Sequence, residues 1–205
     1  ITYGSLHHSR LYLSLHMCGK PENLRALSRH HASIEILGLD CLTISDDISI
    51  FAEETLRPLS SHLTELTLDG MSFPPGRRNP IDTWTWPSVL GLATVIKSMR
   101  KLRKLCISDN CLTDGEVVEM LEGLPELRYL DLSGHRLDKG PRLSDNSLEH
   151  IATKCHNLQF LSIRMQVNMT MAGIQMVLKS CPLRELKANW DHILPCHLKE
   201  LVRAS

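Results

Sequence analysis

The sequence predicts an α/β fold in which short parallel strands alternate with helices in a repeated unit. Two observations predict it: an eleven-residue window with mainly apolar residues at positions 1, 4, 6, 9 and 11 recurs along the 205 residues, and helical sequence separates the windows. The window LRYLDLSGHRL, residues 127–137, shows the spacing clearly. It fits neither the helical period of 3.6 nor the strand period of 2, because only its centre, Leu130-Asp131-Leu132, alternates.

Seven copies of this window begin at residues 8, 34, 63, 102, 127, 158 and 183, and the first copy is degenerate. The intervals between them are 26, 29, 39, 25, 31 and 25 residues. Over almost the whole chain this period and pattern resemble those of the leucine-rich-repeat superfamily. We therefore expect the residues at positions 4 and 6 to face inward from a short strand, and those at positions 1 and 11 to cover the turns beside it.

The segments between windows are typical of helices. TDGEVVEMLEGLPE (113–126) has a Thr-Asp start, early acidic residues and Gly123-Leu124-Pro125 near its end, and the segments at 144–157 and 170–182 follow the same plan. Cys155 and Cys181 each end such a helix. The stretch LSDNSLEHIATKCHNLQFLSI (143–163) resembles the cysteine-containing repeats of F-box/LRR proteins, which implies that Cys155 packs inside as a small apolar residue.

The resemblance implies one leucine-rich-repeat domain over residues 1–205, a horseshoe arc with a parallel concave sheet and convex helices. The chain is expected to be a piece of a longer protein. Its expected function is non-catalytic protein–protein interaction, as the substrate-recognition part of an F-box ubiquitin ligase that holds a Skp-type adaptor through an upstream segment. The alternative is a structural or assembly subunit of a large multiprotein complex, because neither end shows a clear polar cap.

Composition limits the classes of partner. Lys plus Arg and Asp plus Glu are both 23, so the formal net charge is zero and nothing global attracts nucleic acid or an anionic membrane. No apolar run approaches the length of a membrane span. The seven cysteines are odd in number and show no tight spacing pattern, which predicts free thiols and an intracellular location, cytoplasmic or nuclear.

No catalytic motif, metal site or cofactor site is predicted, so we expect a protein that is not an enzyme. The histidine-containing stretches, including His192, Cys196 and His197, lack the paired ligand spacing that zinc requires. Cys106, on an outward strand position beside Arg103 and Lys104, is a weak candidate for a reactive thiol.

The predicted binding surface is the concave sheet, where positions 3, 5 and 7 face outward. Two groups of partner-binding residues stand out there: acidic Glu65 and Asp69 with Asp40 nearby, and interface-type side chains farther along, Tyr129, Phe160, Arg164 and Trp190, with Met165 next to them. The alternative for the aromatic residues is ordinary packing against neighbouring strands.

A second candidate surface is the insertion at 74–87, which lengthens the third repeat to 39 residues. Its predicted contact residues are Arg77, Arg78, Trp84 and Trp86. The alternative for this insertion is a local plug in which the tryptophans fold back over the rim of the sheet.

Overall fold

The computed structural model describes residues 10–14, 34–40, 48–69, 90–108, 112–134 and 143–188. Within these ranges seven strands form one parallel sheet in chain order. They are β1 (Arg10–Ser14), β2 (Ile36–Asp40), β3 (Glu65–Asp69), β4 (Lys104–Cys106), β5 (Tyr129–Asp131), β6 (Phe160–Ile163) and β7 (Glu185–Ala188). A parallel sheet whose strands alternate with helices confirms the predicted α/β class.

The helical elements of the described ranges lie between consecutive strands. They are α1 (Ile48–Phe51), α2 (Leu90–Lys97), α3 (Asp114–Leu121), α4 (Asp145–Lys154) and α5 (Met171–Ser180). Helix α1 continues into a π-helical turn, Ala52–Leu56, and a 3₁₀ turn, Arg57–Leu59. Each helix packs against the next one in the chain, so the helices follow the same order as the strands.

The sheet register joins the same window position in every pair of neighbouring strands. Position 4, for example, pairs Leu37 with Leu66, Leu105 with Leu130, and so on through Leu186. The position-4 leucines of β2 to β6 are at most 1% exposed and belong to one continuous core. Leu183 and Leu186, in the last window, are only partly buried. Burial at this window position therefore holds from β2 to β6 and weakens at β7.

The predicted helix starts are confirmed, and each is tied to its neighbour. Thr113, Ser144 and Thr170 are the N-caps of α3, α4 and α5. The Asp114 carboxylate accepts hydrogen bonds from the Ser144 backbone N–H at 2.9 Å, from the Ser144 hydroxyl at 2.5 Å and from the Ser147 hydroxyl. Asp145 accepts a bond from the Thr170 N–H at 2.7 Å and another from its hydroxyl. The first residue of one helix thus holds the cap of the next.

Asp114→Ala is expected to lower the free energy of unfolding by about 2 kcal/mol, because it removes the acceptor of three donors. Burial raises the pKa of Asp114, but the bonds from Ser144 and Ser147 outweigh it, and the net pKa is lowered. The stabilisation is therefore fully present above the ordinary value of 3.8 and is lost as the pH falls through the folded-state pKa. Urea unfolding measured from pH 2 to 7 checks both effects.

The control for this prediction is Glu149→Ala, at an exposed position of α4, which should leave stability within about 0.5 kcal/mol. Equal stability of Asp114→Ala and the unsubstituted chain would show that the helix starts are not coupled.

Cys155 is buried, as the resemblance implied, and so is Cys181 at the end of the next helix. Cys155 and Cys181 are 1% and 5% exposed and both carry free thiols. Burial raises the pKa of Cys155 to about 12 and that of Cys181 to about 11, so both stay protonated at neutral pH. Among the described helices, none has the length and apolar character that crossing a bilayer demands.

Candidate protein-binding face

One side of the sheet is buried under the helices and the other is partly open. In β3 the residues at positions 4 and 6 are buried, whereas those at positions 3, 5 and 7 keep part of their surface accessible. Strands β4 and β5 repeat this alternation, as expected for a sheet covered on one side. We call the side formed by positions 3, 5 and 7 the open face.

The centre of the open face is a stacked pair of rings. Tyr129 and Phe160 occupy position 3 of neighbouring windows and pair directly in the sheet. Their ring centroids lie 3.9 Å apart with an interplanar angle of 3°. Neighbouring parallel strands are ~4.8 Å apart, so identical window positions bring the rings face to face. The contact removes apolar surface of both rings from water.

A lysine ammonium group lies over the outer face of each ring. The Lys104 Nζ lies 5.1 Å from the centroid of Tyr129, and the Lys187 Nζ lies 4.8 Å from that of Phe160. Each such contact is worth about 0.5–1 kcal/mol at an accessible site. The two cations therefore hold the stack from both sides.

Each lysine also has a carboxylate nearby. The Lys104 Nζ is 4.0 Å from Glu65 Oε2, and the Lys187 Nζ is 3.1 Å from Glu185 Oε1. The result is a continuous row across β3 to β7, which we call the aromatic ladder; in spatial order it consists of Glu65, Lys104, Tyr129, Phe160, Lys187 and Glu185. The side chains of both lysines are 39% exposed, so the charged residues on either side of the rings are accessible to a partner.

The prediction that both rings are exposed is wrong for Phe160. That residue is only 9% exposed, because Tyr129 covers one side of its ring and the Lys187 side chain lies over the other. Tyr129 is half-buried and is the more accessible ring. Packing between strands, the alternative weighed from sequence, therefore accounts for Phe160, and a binding role in this column depends mainly on Tyr129.

Burial and the nearby Asp131 carboxylate raise the pKa of Tyr129 to about 12. The phenol therefore remains protonated at neutral pH, which keeps a hydroxyl donor in the centre of the open face.

Beyond the ladder, the open face carries short polar networks. Asp69 accepts a hydrogen bond from the hydroxyl of Ser108, one strand away. Asp131 accepts bonds from the backbone N–H of Ser133 at 3.0 Å and from its hydroxyl at 2.6 Å, and the Ser133 and Ser162 hydroxyls are 2.8 Å apart. Of the predicted acidic residues, Asp69 is therefore engaged within the sheet and Glu65 lies beside Lys104, so both are less free than the sequence implied.

The Cys106 thiol does not suit a nucleophile. Burial, followed by the charge of Asp131, raises its pKa to about 11, so almost none is thiolate at neutral pH. The sulfur lies 3.8 Å from the Ser108 hydroxyl. The cationic sequence neighbours do not lower the pKa, because Lys104 lies over the Tyr129 ring and Arg103 pairs with Glu126 at 3.1 Å.

The remaining predicted residues divide into two groups. Arg164 is exposed, and Met165 beside it has a φ of 61°, a left-handed backbone conformation, at the turn after β6. Outside the described residues lie the side chain of Asp40 and the residues Arg77, Arg78, Trp84, Trp86 and Trp190, and for these the binding predictions stay predictions.

The expected absence of a metal site stays a prediction. The described residues include no group of three or more His, Cys, Asp and Glu side chains that could hold a metal ion. His192, Cys196 and His197 lie outside those residues.

Sequence analysis missed two sets of residues. Lys104 and Lys187 were not among the predicted binding residues, although the register pairs Lys104 with Tyr129 and puts Lys187 on the strand beside Phe160, opposite Ser162. Position 2, one residue before each strand, was not examined, and there Arg103, Arg128 and Arg184 are all exposed. Aligning the seven windows and reading every column for charge would have found both sets.

No family model matches the sequence. Among solved structures, the chain is similar to the tropomodulin C-terminal domain from Caenorhabditis elegans, at 10% sequence identity and a TM-score of 0.47, with 91% of each chain covered. A likeness at this level supports no statement about activity or partners.

Proposed function

We propose that this protein is a leucine-rich-repeat solenoid of about seven repeats that binds another protein on its open face without catalysis. The observation that carries the proposal is the aromatic ladder, in which the charged side chains and the Tyr129 ring are accessible on the side of the sheet opposite the helices. Support for the solenoid comes from the strand order and from a register that joins equal window positions.

The chemistry of the open face suits a protein partner. Tyrosine and arginine are the types that most often dominate binding energy at interfaces, and Tyr129 and Arg164 supply both. The stack and the lysines over it fix Tyr129 in one orientation, so binding loses little side-chain freedom there.

The test is affinity purification of the full-length protein in three forms with quantitative identification of what is recovered. The open-face variant is Lys104→Ala with Arg164→Ala, and the matched control is Lys154→Ala with Lys179→Ala, which removes the same charge from exposed helix positions. We expect a partner that the control retains and that the open-face variant recovers about 30-fold less, as for loss of an interface hot spot of about 2 kcal/mol.

Two checks make this test decisive. Circular dichroism melts of both variants should lie within about 3 °C of the unsubstituted protein, because all four positions are accessible. Recovery that is equal for the open-face variant and the control would contradict the proposal, and so would absence of any partner.

Tyr129→Ala with Phe160→Ala would be a poorer test of the open face. Phe160 is buried, so the double change should itself lower the free energy of unfolding by at least about 2 kcal/mol. A loss of binding by that variant would not separate recognition from folding.

A more specific form of the proposal makes the chain the substrate-recognition part of an F-box ubiquitin ligase. Its support is the resemblance of residues 143–163 to F-box/LRR repeats. Recovery of a Skp-type adaptor and a cullin with the full-length protein would support it, and their absence from a recovered partner complex would contradict it. The proposal includes an intracellular location, for which the odd number of cysteines is the support.

The second candidate is a structural subunit of a large complex. One observation favours it: near the last described strand Met171, Leu178, Leu183 and Leu186 are only partly buried, and Met176 is 38% exposed. Recovery of one large complex in fixed stoichiometry, unaffected by the open-face variant, is the outcome that would favour this candidate over the first.

A further inference from the structure

We propose that exposed cations at the N-terminal ends of strands β4 to β7 form a second docking site, separate from the open face, for an extended acidic segment of a partner protein. We call this surface the basic edge. It consists of Arg100, Lys101, Arg103, Arg128 and Arg184, and all five are exposed.

The backbone brings three of these residues, Arg103, Arg128 and Arg184, into one row. Window position 2 continues the sheet by one residue, because the backbone N–H of Arg128 donates to the Arg103 carbonyl at 2.8 Å. The Gln159 N–H in turn donates to the Arg128 carbonyl at 2.8 Å, and the Arg184 N–H donates to the Gln159 carbonyl at 2.8 Å. Strands are ~4.8 Å apart, so Arg103, Arg128 and Arg184 are spread over roughly 14 Å.

The charge of the basic edge is only partly compensated. Arg103 pairs with Glu126, whose Oε2 lies 3.1 Å from its Nε. Within the ranges the structure describes, no carboxylate forms an ion pair with Arg128 or Arg184. The chain as a whole has 23 cations and 23 anions, so the row reflects local segregation of charge and does not follow from a basic protein.

The spacing favours an extended peptide as the occupant. A strand rises ~3.4 Å per residue, so a run of four or five residues crosses the row, and several neighbouring carboxylates are needed to reach its arginines. Guanidinium groups bind carboxylates in a two-pronged arrangement, which makes arginine better suited than lysine to this recognition. A cluster of consecutive Asp and Glu residues has this chemistry.

The basic edge differs from the corresponding edge at the other end of the sheet. Position 2 is Glu35 before β2 and Thr64 before β3, so the cations begin only at β4. An acidic segment is therefore attracted to one half of this edge and repelled by Glu35 at the other. That asymmetry gives the site a defined position along the sheet.

The experiment uses a fluorescein-labelled peptide, Gly-Ser-(Glu-Asp)₃-Gly-Ser, with the full chain at low salt and fluorescence anisotropy as the readout. We expect saturable binding that Arg128→Gln with Arg184→Gln weakens by about tenfold or more, and that rising salt weakens further. The matched control, Lys154→Gln with Lys179→Gln, removes the same net charge from the helices and should change binding less than about twofold.

Two further measurements, with the helix control, decide the outcome. Arg128→Lys with Arg184→Lys keeps the charge and should bind more tightly than the glutamine variant, provided that both melt like the unsubstituted chain. Equal weakening by the helix control, or no binding of the peptide at 100 µM, would overturn the proposal. Tighter binding of a six-nucleotide thymidine strand than of the peptide would overturn it in favour of nucleic acid.

Failure here is distinguishable from failure of the open-face proposal. The open-face variant, Lys104→Ala with Arg164→Ala, leaves the five residues of the basic edge in place. It should bind the acidic peptide within about threefold of the unsubstituted chain. Loss of peptide binding in that variant would assign the peptide to the open face and overturn the separate docking site.

Discussion

Gly123→Ala is expected to lower the free energy of unfolding by at least about 3 kcal/mol, a large effect for the addition of one methyl group. Gly123 lies just after α3, where a Cβ would stand 1.7 Å from the carbonyl oxygen of Lys97 and 2.6 Å from its carbonyl carbon. These are backbone atoms and cannot rotate away, so α2 and α3 would have to separate. In thermal unfolding this corresponds to a fall in Tm of about 6 to 12 °C.

Gly115→Ala is the control, and it should change stability in the opposite direction. Gly115 lies in the first turn of the same helix, is exposed, and has Thr113 Oγ1 as its nearest neighbour at 4.0 Å from a built Cβ. Alanine there gains helix propensity and restricts the unfolded chain, which should add up to about 1 kcal/mol. Opposite signs for the two substitutions would establish close approach as the cause. If Gly123→Ala left the free energy of unfolding unchanged, α2 and α3 would have to be farther apart than the structure places them.

The window pattern was enough to predict the fold class, because it depends on contacts within one strand or one helix. Leu130 and Leu132 are buried as positions 4 and 6 require, and the Thr113-Asp114 start marks the helix that the structure has there. The sequence pattern indicated Gly123 only as a residue near the end of a helix. Gly123 lies close to Lys97 of the preceding helix. The sequence around one helix end does not indicate which residue of another helix it approaches.

The candidate site was harder to predict, because its features arise between windows. Tyr129 and Phe160 were found in one column, but burial of Phe160 follows from a 3.9 Å stack and a lysine from a third strand. The basic edge was missed because alternation was applied only inside the strands, whereas position 2 lies one residue before them. Aligning the windows predicts which residues of neighbouring strands lie side by side. Which of their side chains make contact depends on side-chain conformation.

Gln166→Leu is expected to lower the free energy of unfolding by about 3 kcal/mol, because one side-chain amide satisfies two backbone groups. Gln166 occupies position 9 of its window and is 8% exposed. Its Nε2 donates to the Leu132 carbonyl at 2.8 Å, and its Oε1 accepts from the Leu143 N–H at 3.0 Å. Leucine fills a similar volume but leaves the Leu132 carbonyl and the Leu143 N–H buried without hydrogen-bond partners.

Gln166→Glu separates hydrogen bonding from packing, since its carboxyl group has nearly the same shape. The neutral carboxyl group can donate to the Leu132 carbonyl and accept from the Leu143 N–H. The ionised carboxylate has no proton to donate to that carbonyl, and it is poorly solvated there. Its folded-state pKa should therefore be raised, so stability is fully present below the unfolded pKa and is lost as the pH rises through the folded pKa. Urea unfolding at pH 4 and pH 7 should show the variant close to the unsubstituted chain only at the lower pH.

Gln159→Leu is the matched control for both variants. Gln159 is half-buried one residue before β6, and its backbone carbonyl accepts hydrogen bonds from Arg184 and Glu185 of the next window. Among the described residues, no side-chain hydrogen bond joins Gln159 to that window. It should alter the free energy of unfolding by no more than about 0.5 kcal/mol. If Gln166→Leu were as stable as Gln159→Leu, water would have to satisfy the Leu132 and Leu143 backbone groups. The side chain at position 9 would then contribute packing alone to the contact between these two windows.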